Sequence, residues 1–472
     1  MGTISSALSI VTQALDADQQ ALNVVANNVA NASTTGYARE TANFQENQSL
    51  NVDGVTIGQG VTETGATSAR DKVLEARLDQ QQQLASSSSS RLTALDTVQA
   101  LFKTSSSSTS TAGDIGSDIT KFYDSFSTLE GSPTNNADRQ SVLSTASTLA
   151  SDISGAATNL ESQKSALDQD ASGVTSQVNS LTSAIAQLNQ QIQSTSPNSD
   201  AGMLEDQRQV DLSQLSKLVG INQMTTQDNE VVITTTSGAL LVSGNSSNQL
   251  TTGTVNGVTD FFVGNKDITS QLATGGGSLG GYLTARDTDI PSVLSSLDQL
   301  AYSISTTVNT QNNAGTDYDG NSGTVANPLN IFSEPTTVVG SAASMSVVMT
   351  DPNQVAAAGA GKGTGDNSNA IAMYNLSKQT IVNGQTPTNY YSNFVSTLGA
   401  TVSGVQAENT AQTASVTQLQ TQNNSLSGVN LNDEASTLTT FERSYQAASQ
   451  VFSILDKVMA SAMNLGEQTT VS

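Results

Sequence analysis

A seven-residue apolar repeat at each end of the chain restricts its fold more than any other feature. Near the C-terminus, apolar and small residues fall at Leu438, Phe441, Tyr445, Ala448, Phe452, Leu455, Met459 and Ala462. The steps alternate between three and four, which is the spacing of a coiled-coil seam. Near the N-terminus, Ile4, Leu8, Val11, Leu15, Leu22, Val25 and Val29 keep the same rhythm, and Asp18 alone interrupts it. Matching seams at opposite ends of one polypeptide imply that the termini pair with each other or with neighbouring copies.

The flanks of the two seams differ in volume. Ala7, Ala14 and Ala21 line one flank of the first, and Val451, Val458 and Leu465 line the matching flank of the last. In an antiparallel pair like flanks meet, so small residues are expected to face large ones or neighbouring subunits. The pattern fits an intramolecular hairpin, but the apolar stripe is wider than two helices need. That width favours a helix pair with surface left for other subunits. A seam lacking such neighbours buries little, so its helices are expected to be disordered in the free monomer.

The chain has 472 residues, of which 36% are hydrophobic and only 12% charged. This length suits two to four domains. The formal net charge of −24 argues against nucleic acid or an anionic membrane as partner. Cys, His and Trp are absent. Disulfides and thiolate metal sites are therefore excluded, and the commonest general base is missing. No cofactor is expected and an enzyme is disfavoured. No apolar run is long enough to span a bilayer, and the N-terminus lacks the basic and compact apolar regions of a secretory signal.

Between the terminal helices, helical periodicity is expected over about 69–102, 115–129, 137–193, 201–219 and 391–426, with Asn136 as an N-cap. The Ser86–Ser90 run weakens the first of these, because serine favours irregular backbone. Arg208 is expected on a solvated face, paired with Glu205 or Asp211. Period-two stretches such as EVVITTTSGALLV and GVTDFFVG mark a β-rich insertion. The resulting fold class is mainly α with an inserted β-rich domain, elongated and multidomain. Residues 1–35 and 429–467 form a terminal coiled coil. Residues 36–219 and 282–428 form a discontinuous helical bundle, with β or loop segments near 41–69 and 325–350, and 220–281 form the insertion.

The segment after the first helix carries a motif. Asn27, Asn28, Ala30, Asn31, Gly36, Tyr37 and Arg39 reproduce N-N-x-[SA]-N followed by T-x-G-[YF]-x-R. This resembles the rod, hook and hook-associated proteins of the bacterial flagellum. Glu434, Phe441, Tyr445, Gln446 and Ala447 resemble the C-terminal motif of the same axial proteins. Within that group the internal segments resemble the FlgK hook-associated family. They are Gly277 to Gly281, Leu283, Arg286, Asp287, Val308, Asn309, Gly315, Asp317 and Gly320, with a looser match at Leu204, Asp206, Gln207, Arg208 and Ser216. Many relatives have His after the Val-Asn pair, where this chain has Asn312 and Asn313.

The resemblance implies a non-enzymatic structural adaptor between hook and filament, extracellular and exported without a cleaved signal. It implies hook protein, a second hook-associated protein and an export chaperone at the C-terminal region as partners, with self-association in the assembled junction. The interface residues expected from the seams are Leu8, Val11, Leu15, Leu22, Val25, Phe441, Tyr445, Val451, Phe452, Leu455, Val458 and Met459. The alternatives are a flagellin-like filament or other hook protein, and an adhesin with a β head on a helical stalk.

Three motifs suggest chemistry without its context. Gly275, Gly277 and Gly280 spell G-x-G-x-x-G, but a polar stretch precedes them where a buried strand is needed, so flexible backbone is expected there. GAGKGTG around Lys362 lacks the Ser or Thr of a phosphate loop. DYDGNSG at Asp317 to Gly323 begins like a calcium loop, yet Ser322 replaces its Gly and Pro328 its closing Glu; an Asx turn is expected.

Overall fold

A computed structural model describes residues 2–52, 55–102, 114–195, 200–255 and 257–467. The chain opens with helix α1 (Gly2–Ala30) and continues into a β-hairpin, β1 (Glu40–Glu46) against β4 (Val61–Ser68), with the small hairpin β2 (Leu50–Val52) and β3 (Val55–Ile57) at its tip. Helices α2 (Lys72–Ala100), α3 (Ile115–Gly131), α4 (Asn136–Thr195) and α5 (Met203–Leu218) follow. Two small antiparallel sheets come next. The first comprises β5 (Ile221–Thr225), β6 (Val231–Thr235), β7 (Leu240–Ser243) and β8 (Ser246–Ser247). The second comprises β9 (Leu250–Val255), β10 (Val258–Val263) and β11 (Lys266–Asp267). The chain returns through α6 (Thr269–Ala273), α7 (Gly277–Thr284), a π-helical turn and α8 (Ile290–Ala314). It ends with α9 (Ser341–Ser344), α10 (Ser368–Leu376), α11 (Pro387–Ser427) and α12 (Leu431–Glu467).

The fold is mainly α with a β-rich insertion. Its spine is α4, whose 60 residues span about 90 Å at 1.5 Å per residue. Two apolar cores divide this helix. Residues up to Leu167 join α2, α3, α8, α10 and α11 in the helical bundle, where Phe122 meets Phe126 at 5.5 Å and Phe332 at 5.4 Å. Residues from Ala171 onward join α5, α7 and the strands in a second core around Ile233, Leu241 and Phe261. The two sheets thus share one core with 171–219, and this core runs across positions 220 and 281.

The serine run proves helical. Ser86–Ser90 lie inside α2, which continues to Ala100. The reason is the neighbour: α7 packs on this stretch, and a Cβ at Gly281 would lie 2.3 Å from the Ser87 carbonyl and 2.9 Å from Ser90 Cβ. Small residues on both sides allow the close approach. GSLGG is correspondingly a buried helix rather than flexible backbone. The cap of α4 is displaced by one residue, since Asn135 Oδ1 accepts from Ala137 N at 3.0 Å.

Arg208 is buried rather than solvated, donating to Asn189 Oδ1 at 3.1 Å and the Asn229 carbonyl at 2.7 Å. Arg286 is also buried. It joins α4 through Asp168 at 2.5 Å and β10 through the Thr259 carbonyl at 2.8 Å, so this motif residue fastens the insertion to the spine. Asp317 closes its own loop, Oδ1 accepting from Asn321 N at 2.7 Å, four residues on rather than the two of the expected Asx turn.

Candidate functional site: the terminal helix pair and its root

Helices α1 and α12 pack on each other. They run antiparallel, because the end of α1 meets the start of α12: Asn28 Nδ2 donates to Glu434 Oε2 at 3.1 Å. The hairpin leans on the pair. Asn47 Nδ2 reaches Gln13 Oε1 at 2.8 Å, and the Phe44 and Phe441 rings lie 6.1 Å apart.

The axial-protein motif forms the root of this pair. Asn28 is 1% exposed and serves four groups. Its Nδ2 also donates to the Glu40 carbonyl at 2.8 Å, and its Oδ1 accepts from the Tyr37 hydroxyl at 2.8 Å and Glu40 N at 2.9 Å. Asn27 and Asn31 finish α1, with Asn31 Nδ2 donating to Asn27 Oδ1 at 2.8 Å. Arg39 N donates to the Ser427 carbonyl at 2.8 Å, tying the start of the hairpin to the end of α11.

Gly36 has a φ of +81°, and a Cβ there would stand 2.2 Å from Val210 Cγ2 on α5. Only glycine satisfies both demands. Glu434 is 4% exposed and is the one buried side chain among those described on α12. Spacing alone did not single out its role, because a glutamate in a first helical turn normally reads as a dipole partner.

Below this root, charges bind the hairpin to α2 and α5. Arg70 pairs with Asp206 and with Glu75 at 3.7 Å, Ser68 N donates to Asp200, and Ala38 N donates to Asp206 Oδ2 at 3.3 Å. Carboxylates outnumber the guanidinium. Burial pushes Glu75 up to about 7 and Asp206 up to about 6, with Arg70 opposing both shifts. Hydrogen bonds outweigh burial at Asp200 and hold it below the usual carboxylate range.

The predicted interface residues separate into two groups. Leu8, Val11, Leu15, Leu22, Phe441 and Leu455 are half-buried, and Val25 is buried. Tyr445, Val451, Phe452, Val458 and Met459 are exposed, the two valines by 45% and 46%. Ile454 and Met463 are exposed as well and lie outside the predicted set. Ala21 is fully buried and Ala7 and Ala14 half-buried, whereas Val451 and Val458 face outward. The side chain of Leu465 lies outside the described residues. Asp18, the interruption of the first seam, is 8% exposed, and its Oδ2 meets no partner among the described residues.

The chain is similar to known proteins. Residues 95–325 match the helical domain of flagellar hook-associated protein FlgK, and residues 8–37 match the flagella basal body rod protein family. The chain belongs to the FlgK family of flagellar hook-associated proteins. It is 26% identical to flagellar hook-associated protein 1 of Salmonella typhimurium, covering 98% of this chain and 100% of that one. The namesake in Bacillus subtilis is 24% identical, with 97% of each chain covered. The fold matches the flagellar hook junction protein FlgK from Burkholderia pseudomallei with a TM-score of 0.66 at 19% identity, over 75% of this chain and all of that one. As a hook-associated protein the chain is a structural component of the bacterial flagellum. Among the described residues no helix is long and apolar enough to cross a membrane.

Proposed function

We propose that this FlgK-family chain joins hook to filament as an extracellular adaptor and polymerises through its terminal helices. One observation carries the reading. On α12, Phe441, Ala448 and Leu455 are partly covered, while Tyr445, Val451, Phe452, Val458 and Met459 remain open along the same helix. A contiguous apolar stripe of this kind marks an interaction surface. Copies of the same chain are its natural occupants in a polymer, through the half-buried Leu8, Val11, Leu15 and Leu22 of α1 and the α12 residues named above, while the buried Val25 holds the pair itself.

The further partners in this reading are hook protein on one side and a second hook-associated protein on the other. Before assembly, an export chaperone covers the C-terminal helix. Export proceeds without a cleaved signal, and no catalysis is involved. The test is Val458→Asp. A charge in the stripe leaves the bundle and insertion folded and abolishes junction assembly, seen as cells whose hooks bear no filament. Normal filament attachment in that variant contradicts the assignment.

A further inference from the structure

A cavity of about 240 Å³ lies at the root of the terminal pair, between the loop after α1, helices α2 and α5, and the end of α11. Its lining is rich in oxygen. Asp79 is 2% exposed; its Oδ2 accepts from Gln209 Nε2 at 3.0 Å and Gln223 Nε2 at 3.1 Å, but its Oδ1 meets no donor among the described residues. Asn423 Oδ1 and Ser427 Oγ, on α11, are likewise buried without partners, and Ser427 is 5% exposed. Glu75, one turn before Asp79 on α2, lines the same space and shares Arg70 with Asp206. Lys217 is the cation on the lining, and it is an exposed residue.

A buried carboxylate takes up a proton, pairs with a cationic side chain or coordinates a cation. The three partnerless atoms are a carboxylate, an amide carbonyl and a hydroxyl oxygen, a set that suits a hard cation. With about 30 Å³ per water, the cavity has room for such an ion and part of its hydration shell. We propose that this cavity binds a divalent hard cation of calcium type, which ties Glu75 and Asp79 of α2 to Asn423 and Ser427 of α11. The mixed, irregular oxygen set matches the flexible coordination of calcium better than the strict octahedron of magnesium. The bound ion stiffens the point where the chain enters and leaves the terminal pair.

The test compares the full chain with Asp79→Asn by calcium titration calorimetry and by thermal unfolding in calcium and in EDTA. Asp79→Asn removes a buried charge and keeps the side-chain shape, so the variant folds. The wild-type chain is expected to bind one calcium more than the variant, and calcium raises only the wild-type Tm, by a few degrees. Lys217→Ala, which removes a competing cation, binds calcium at least as tightly as wild type. Equal calcium binding and equal Tm response in wild type and Asp79→Asn overturn the proposal and assign calcium to diffuse attraction by the net charge. A Lys217→Ala chain that melts earlier in EDTA and ignores calcium also overturns it, making Lys217 the counter-ion.

Discussion

In the α3–α4 region Phe122, Phe126, Leu149 and Ile153 are all fully buried. In α12 no large apolar side chain with a described environment reaches that state, and Phe452 and Val458 stay 36% and 46% exposed. Both regions consist of helices with an apolar stripe. They differ in how many neighbours each stripe has: α3 is enclosed by α4, α10 and α11, whereas α12 packs mainly on α1, with Phe44 of the hairpin against Phe441 near its start. The bundle is a finished core and the terminal pair is half of one. The root around Asn28 and Glu434 fixes the direction of that half-core while leaving its outer face open.

The comparison breaks most readily in the bundle. Phe122→Ala is expected to cost about 3–5 kcal/mol, because a cavity opens in a core that cannot collapse. Urea unfolding measures this, and a loss below about 1 kcal/mol would mean that the bundle is as loosely built as the ends. Asn28→Ala comes next, at about 1–3 kcal/mol, since it strands the buried Glu434 carboxylate and the Tyr37 hydroxyl. Its effect should be confined to the root, read as faster amide exchange in α1, the hairpin and the start of α12.

A smaller change follows pH. Glu75, Asp79 and Asp206 have folded-state values raised to about 7, 6 and 6, with burial the largest cause. The folded chain therefore holds more protons than the unfolded one between the ordinary carboxylate range and these values. Their stabilisation is complete only below the ordinary carboxylate range and is lost progressively as pH rises from there through about 6–7. Asp200 and Glu205, shifted downward, act only at lower pH, where their contribution falls on acidification. Tm measured from pH 5 to 8 in EDTA should decline, and the decline should shrink in Asp79→Asn. Least of all, Phe452→Ala should change monomer stability by about 1 kcal/mol or less. The same variant should weaken self-association, as sedimentation would show.

The sequence made one half of this comparison easy to read and the other hard. The repeat through Leu438, Phe441 and Leu455 marks a helix face regardless of tertiary context, so the terminal helices and their motif stood out. Helix ends set by packing were less legible. Ser86–Ser90 have low helix propensity in isolation, and only the glycine face of α7 explains their place in α2. Arg208 has carboxylates at helical spacing that would pair it in solvent, yet Asn189 and Asn229, from the neighbouring elements on either side of α5, hold it buried. Contacts of this kind join separate elements and leave no local period. Glu434 is the same case within the candidate site, because its partner Asn28 lies at the other end of the chain.

Amide hydrogen exchange on the free monomer, compared with assembled junctions, tests the unfinished-core account most directly. It predicts that α1 and α12 exchange much faster than α3 and α4 in the monomer, and that α12 gains protection from Tyr445 to Met459 on assembly. Equal, strong protection of all four helices in the monomer, unchanged on assembly, would contradict it.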